Sequence, residues 1–135
     1  MTDEFRHYRR WFYAAAIYNA VSGSVAVLFP ATLLRIAAVN ATGAVPLVQV
    51  IGMMVGVYAY GYYLLAREPK RYCGFIWIAL AGKTLGPVGF VYSASTGALP
   101  WSFGWICVFN DVIWWPVFWR FALVHAHEHR TPRNR

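Results

Sequence analysis

The chain has 135 residues, of which 59% are hydrophobic, 19% are aromatic and only 13% are charged. Soluble domains carry about a quarter charged residues, so this composition excludes an ordinary water-soluble domain. The formal net charge of +7 does not indicate a nucleic-acid partner, because the basic residues cluster at the ends of apolar stretches, as membrane topology requires.

Four apolar stretches follow one another along the chain, at about residues 11–29, 46–66, 73–94 and 103–124. Each is long enough to cross the hydrocarbon core of a bilayer as a helix. None carries the polar stripe of a helix in a water-soluble bundle. The sequence therefore predicts an all-α integral membrane protein, a single domain over residues 1–135 that folds as a four-helix bundle.

One helical face of the first stretch carries small and polar residues, namely Ala15, Ala16, Asn19, Ser22 and Gly23. Small residues let helices approach closely in lipid, so we expect this face to point into the bundle. Pro30 ends the stretch, and residues 31–39 predict a short interfacial helix. Residues 40–42 match a glycosylation sequon, which we interpret as a chance match.

The second stretch begins at Pro46 and also has one distinctive face, formed by Gln49, Gly52, Gly56, Tyr60 and Tyr63. Gly52 and Gly56 form a small-xxx-small motif for helix packing. The stretch ends in a basic turn at residues 67–71. A connection this short predicts that the second and third stretches are antiparallel neighbours.

The third and fourth stretches each contain one charged residue in their interior, Lys83 and Asp111. A charge at that depth costs about 2.5–3.5 kcal/mol on insertion scales, so we expect the two to pair and face inward. Pro87 and Pro116 follow them in sequence. Because proline breaks helical hydrogen bonding, the carbonyl groups of Lys83 and Val112 are expected to be freed.

Counting helical rise from the basic ends of the stretches places Asn19, Lys83, Asn110 and Asp111 at one level, about 14–18 Å from the cytoplasmic ends. Tyr60 falls slightly below that level. The predicted polar centre comprises Asn19, Tyr60, Lys83, Asn110, Asp111, Trp114 and Trp115. The structural alternative is an ion pair that only fixes the register between two helices.

Positive charge is distributed unevenly between the two ends of the stretches. Arg35 alone lies in the connections at one end. The other end carries Arg6, Arg9, Arg10, Arg67, Lys70, Arg71, Arg120, Arg130, Arg133 and Arg135. This asymmetry predicts that both termini and the middle turn are cytoplasmic, in a protein of the cytoplasmic (inner) membrane.

The C-terminal tail offers a weak candidate for a metal pair, because His125 and His129 would share one face of a helix. A zinc site needs three or four ligands, so we interpret this segment as a solvated tail. The sequence shows no catalytic constellation and indicates no cofactor, which leaves an enzymatic role the less favoured interpretation.

Three functional hypotheses remain. The first is binding of an apolar or amphipathic small molecule, lipid- or quinone-like, at the polar centre. The second is an accessory or scaffold subunit of a larger membrane complex, and the third is a proton-coupled transporter working as an oligomer. The partners expected are membrane lipids, a small apolar ligand, and a membrane protein or a second copy of the chain.

Four apolar stretches in 135 residues, with Gly82-Lys83 in the third and Asp111-x-x-Trp114-Trp115-Pro116 in the fourth, resemble the DoxX-like group of small bacterial membrane proteins. The resemblance covers the architecture of most of the chain. Many members of that group are uncharacterised, so it implies little about activity.

Overall fold

The computed structural model describes residues 5–39 and 43–126. These residues form the α-helices α1 (Arg6–Leu28), α2 (Pro30–Ile36), α3 (Ala44–Arg67), α4 (Phe75–Ser95), α5 (Gly104–Asn110) and α6 (Trp115–Phe121). The 3-10 segments Trp101–Phe103 and Val112–Trp114 flank α5, and the π-helical segment Ala122–Ala126 continues α6. No strand occurs among the described residues, and the all-α prediction is confirmed.

Within the described residues, four segments are long and apolar enough to cross a membrane: α1, α3, α4 and the composite segment Trp101–His125, called the fourth segment below. They coincide with the four predicted stretches and are compatible with a multi-pass membrane protein. Helix α1 begins at Arg6, five residues before the predicted stretch at 11–29. Arginine is a good helix former, so the basic leader joins the helix.

The chain breaks between α1 and α2 at Phe29, whose backbone is not helical (φ −128°, ψ 46°). Pro30 has no N–H group to continue the α1 hydrogen-bond pattern, and it begins α2 instead. The predicted short helix is therefore present, over Pro30–Ile36. The sequon at residues 40–42 lies outside the described residues.

Helices α1 and α3 run antiparallel with their backbones in contact. A Cβ atom added at Gly23 would lie 2.7 Å from the Gly52 carbonyl oxygen, and one added at Gly52 would lie 2.8 Å from the Ala26 Cβ. The Gln49 side chain donates a hydrogen bond of 3.1 Å to the Val27 carbonyl. The small-residue face of α1 therefore packs directly against the glycine face of α3.

The core is an aromatic cluster near the start of α1 and the end of α3. Phe12, Tyr62, Phe118 and Phe121 are fully buried. The Phe12 and Phe121 rings meet edge to face at 4.9 Å between centroids, and the Tyr62 and Phe118 rings lie 5.3 Å apart. Such pairs add about 0.5–1.5 kcal/mol beyond burial, and here they connect α1, α3 and the fourth segment.

His125 belongs to this cluster, and its interpretation as part of a solvated tail is wrong. Its ring is buried and lies 4.7 Å from the Phe5 ring and 5.3 Å from the rings of Tyr8 and Phe121. The physical reason is that the π-helical end of the fourth segment packs back against the start of α1. His129 lies outside the described residues.

Helices α3 and α4 are neighbours, as the short turn between them requires. Their contact is made by side chains rather than by backbone. A Cβ atom added at Gly61 would lie 2.2 Å from the Phe75 ring, so that ring lies directly over Gly61. The Tyr58 ring also contacts Phe75, at 6.0 Å between centroids.

Candidate functional site

The fourth segment is broken at Asp111, whose backbone has φ −123° and ψ −58°. The N–H group of Trp114 donates to the Asp111 carbonyl only three residues earlier, at 3.3 Å. The predicted fourth stretch at residues 103–124 is present as a candidate spanning segment, but its helix is interrupted. Two causes act together: Pro116 has no N–H group for the helical pattern, and the Asn110 carbonyl accepts a hydrogen bond from the Lys83 side chain instead.

Lys83 and Asp111 form a buried ion pair at this break, with Lys83 Nζ 3.3 Å from Asp111 Oδ1 and side chains 6% and 10% exposed. Lys83 Nζ also donates to the Asn110 carbonyl. The Asn110 side-chain amide donates to Asp111 Oδ1 at 2.8 Å. The structure therefore brings together Lys83, Asn110 and Asp111, called the polar site below.

Two glycines on α4 make room for the polar site. A Cβ atom added at Gly86 would lie 2.9 Å from Asp111 Oδ2, closer than real Cβ atoms approach an oxygen. One added at Gly82 would lie 3.1 Å from the Tyr58 hydroxyl. The glycines are four residues apart and share one helix face, so α4 is flat where the carboxylate and the tyrosine approach it.

The Lys83 carbonyl, which Pro87 frees from the helix as predicted, already has a partner. Trp115 Nε1 donates to it at 3.1 Å from the fourth segment. The Val112 carbonyl accepts a hydrogen bond from the Trp115 backbone N–H, so the expectation that Pro116 leaves it free is wrong. The local tightening to a 3-10 turn satisfies it.

Two buried side-chain donors near the polar site have no hydrogen-bond partner among the described residues: the Tyr62 hydroxyl and the Trp114 indole N–H. Tyr62 is 0% and Trp114 4% exposed. Asp111 interacts electrostatically with the hydroxyl groups of Tyr62 and Tyr18, and the Tyr18 ring lies 5.7 Å from the Trp114 ring. An unsatisfied buried donor costs about 1–3 kcal/mol.

Two predicted members of the centre are placed elsewhere. Asn19 is buried, but its side-chain amide donates to the Ala15 carbonyl of its own helix at 2.8 Å. Tyr60 is 64% exposed on the outer surface of α3, and its ring stacks on Tyr63 at 6.4 Å. The structure does not bring either side chain into the ion-pair network.

Tyr58 and Tyr62 occupy the position on α3 that sequence reasoning gave to Tyr60. The sequence signal that could have found Tyr62 is a second row at helical spacing, Ala59, Tyr62 and Ala66, which the structure buries. The row used for the prediction, through Gly56 and Tyr63, is the adjacent one that faces α1. The Tyr13 and Tyr63 rings lie 6.3 Å apart at that interface.

No group of three His, Cys, Asp or Glu residues that could hold a metal occurs in residues 5–39 and 43–126. Two concave regions lie away from the polar site. One is a cleft of about 630 Å³ between the start of α1 and the turn after α3, and the other is a groove of about 400 Å³ along the Gly23 and Gly52 contact. Neither is lined by Lys83 or Asp111.

Chemically, the groups of the polar site are paired with one another, and two buried hydrogen-bond donors near it have no acceptor among the described residues. The Lys83 ammonium has a carboxylate and a carbonyl as partners, while the Tyr62 and Trp114 donors remain available to an acceptor. No family model, no curated protein and no solved structure matches this chain.

Proposed function

We propose that the chain is a multi-pass protein of the inner membrane, a four-helix bundle similar to the DoxX-like group with both termini cytoplasmic. Four apolar segments support the membrane assignment, and the unequal distribution of Lys and Arg supports the orientation. Its function is to bind an apolar or amphipathic small molecule, lipid- or quinone-like, whose polar end enters beside the polar site.

The unpartnered donors carry this proposal. The Tyr62 hydroxyl and the Trp114 N–H are buried without an acceptor, and lipid offers no water to satisfy them. A carbonyl or ester oxygen is an acceptor for either an O–H or an N–H group. A ligand presenting such an oxygen would remove a cost that the unliganded protein carries.

Neither described cleft reaches Lys83 or Asp111. The proposed binding mode therefore places only the polar end of the molecule beside the polar site and keeps its apolar part in lipid. Between α3 and α4, the half-buried Tyr58 side chain places its hydroxyl over Gly82, and this contact is the proposed point of entry.

A purely structural role is the second candidate, and a specific observation favours it. Lys83 is tied to the fourth segment twice, through its ammonium to Asp111 and through its carbonyl to Trp115. Such a double tie fixes the register of two helices without any ligand.

Native mass spectrometry of the chain released from a mild detergent distinguishes the two candidates. Tyr62→Phe removes one buried hydroxyl and keeps the ring, and Tyr60→Phe is the matched control because it removes an exposed hydroxyl two residues away. We expect a discrete added mass on the wild type and on Tyr60→Phe. Binding to Tyr62→Phe should be weaker by up to about tenfold, the value of one hydrogen bond.

The Lys83→Met/Asp111→Leu variant should lose the added mass entirely. A wild-type chain that is released bare, or an added mass that Tyr62→Phe binds as well as Tyr60→Phe does, would leave the polar site with the structural role alone.

A further inference from the structure

The cleft between the start of α1 and the turn after α3 is distinct from the polar site, and we call it the basic cleft. Its volume of about 630 Å³ falls within the range of small-molecule sites, about 300–1,000 Å³. Its lining includes six basic side chains, Arg6, Arg9, Arg10, Arg67, Lys70 and Arg71. Among the described residues of the lining, Glu68 is the single carboxylate.

The positive charge of the basic cleft exceeds the negative charge available near it. Glu68 forms an exposed ion pair with Arg71, at 3.4 Å. The acidic residues of the leader, Asp3 and Glu4, lie outside the described residues. Counted together with Glu68, they still give three acids against six cations. Like charges held around one cavity repel each other, and a bound anion relieves that repulsion.

Two guanidinium groups of the lining have uncharged hydrogen-bond acceptors among their contacts. Arg9 Nε donates to the Ala66 carbonyl at 2.8 Å, across from α1 to the end of α3. Arg67 Nη1 donates to the Tyr63 hydroxyl at 3.1 Å. Guanidinium groups present planar sets of donors that suit phosphate oxygens, so fixing them prepares the cleft for such a ligand.

The basic cleft is also amphipathic. Phe5, Tyr13 and Pro69 form part of its wall, and Lys70 Nζ lies 5.5 Å from the centre of the Phe5 ring. The cleft opens where two of the four candidate spanning segments end, the level at which lipid headgroups lie. An apolar wall beside clustered cations fits the phosphate and glycerol of a lipid better than it fits a free ion.

We propose that the basic cleft binds the phosphate group of an anionic phospholipid, with the glycerol and the first part of the acyl chains against its apolar wall. The ligand class follows from the chemistry of the lining: cations for the phosphodiester, and aromatic and proline surface for the remainder. This site is separate from the one beside Lys83 and Asp111.

The test measures lipid binding by the purified full chain in a zwitterionic detergent. Phosphatidylglycerol and phosphatidylcholine with the same acyl chains are titrated in parallel, and bound lipid is counted by native mass spectrometry. The Arg10→Gln/Lys70→Gln variant removes two exposed cations of the cleft. It should bind phosphatidylglycerol about 25-fold more weakly, about fivefold for each cation lost.

The matched control is Arg35→Gln/Arg120→Gln, which removes the same charge outside the basic cleft and should bind like the wild type. Arg10→Lys/Lys70→Arg keeps both charges and should retain binding, which excludes a folding defect as the cause of the loss. Equal loss in the two glutamine variants, or equal binding of the two lipids, would overturn the proposal.

Competition with inorganic phosphate distinguishes a site for a phospholipid from a site for the free phosphate ion. If the lipid remains bound in a large excess of phosphate, the site recognises a phospholipid. If phosphate displaces the lipid at a comparable concentration, the cleft is a site for the free anion, and the assignment to a lipid fails.

Discussion

Helices α1 and α3 meet through their backbones, whereas α4 and the fourth segment meet through polar side chains. In the first pair, Gly23 and Gly52 bring main-chain atoms into direct contact. Polar side chains add single hydrogen bonds to backbone carbonyls across it, from Gln49 and from Arg9, and Asn19 bonds within its own helix. In the second pair, Lys83 crosses to Asp111 and Trp115 crosses back to Lys83.

The difference shows two ways to join helices where hydrophobic burial gives no driving force. Close backbone packing uses dispersion and needs only small residues at the right spacing. A polar connection must supply a hydrogen-bond or charge partner for every polar group that it buries. Here Pro87 makes the Lys83 carbonyl available as an acceptor, and the helix break at Asp111 does the same for the Asn110 carbonyl. Adding an atom at the backbone contact should therefore destabilise the protein, and so should removing one partner from the polar connection.

Removing one partner of the ion pair should produce the largest effect in the molecule. Asp111→Leu leaves the Lys83 ammonium buried without its counter-ion, and we expect a loss of about 3–5 kcal/mol of unfolding free energy. Lys83→Met/Asp111→Leu should recover most of that loss, because apolar residues of similar volume replace buried ion pairs with little cost. Denaturant unfolding in detergent micelles measures both.

Two results would contradict this role of the ion pair. If Asp111→Leu unfolds at the wild-type denaturant concentration, the ion pair does not join the helices. If the double variant is as unstable as the single one, the charge itself is required.

The backbone contact should be sensitive to a single methyl group, but only at one of the two glycines of the α3 motif. In Gly52→Ala the new Cβ lies 2.8 Å from the Ala26 Cβ and the Gly23 carbonyl oxygen, and overpacking of this kind costs about 1–3 kcal/mol. Gly56→Ala is the matched control, because its Cβ has no neighbour within 4 Å.

Alanine at position 56 should stabilise the helix by about 0.5–1 kcal/mol. The same unfolding measurement applies to both variants. Equal effects at the two positions would mean that the spacing of the motif, and not the contact at Gly52, holds α1 and α3 together.

The backbone contact is the part of the fold that the sequence predicted best. Spacing of small residues is a local pattern, and the faces of α1 and α3 that it marks are those that meet. The four apolar stretches also match the helical segments within a few residues, apart from the earlier start at Arg6. Length and hydropathy decide such positions without reference to neighbouring helices.

The sequence named the three residues of the polar site, Lys83, Asn110 and Asp111, but not the helix break that joins them. Lys83 and Asp111 could be paired by their cost in lipid, but the break at Asp111 depends on Lys83 reaching the Asn110 carbonyl from another helix. No local pattern contains that contact. Tyr62 was missed for a related reason, since two rows of residues on α3 have similar spacing, and tertiary packing decides which row is buried.

The polar connection also contains a weaker contact, the hydrogen bond from Trp115 to the Lys83 carbonyl, and the contribution of Pro87 to it can be measured. Trp115 donates to the Lys83 carbonyl, which is available because Pro87 has no N–H group to offer it. Trp115→Phe should therefore cost about 1 kcal/mol of unfolding free energy, within the range measured for hydrogen bonds between membrane helices. Trp119→Phe controls for the loss of indole surface, because Trp119 lies on the same helix and is 42% exposed.

Pro87→Ala supplies the decisive background for this prediction. Alanine restores a backbone N–H group that can bond the Lys83 carbonyl within α4, so the indole donor is no longer required. In that background Trp115→Phe should cost no more than Trp119→Phe does, and the double-mutant cycle should give a coupling of about 1 kcal/mol. A coupling of zero would mean that Trp115 joins the helices through packing of its ring. It would also mean that the missing N–H group of Pro87 is not what makes the Lys83 carbonyl available to Trp115.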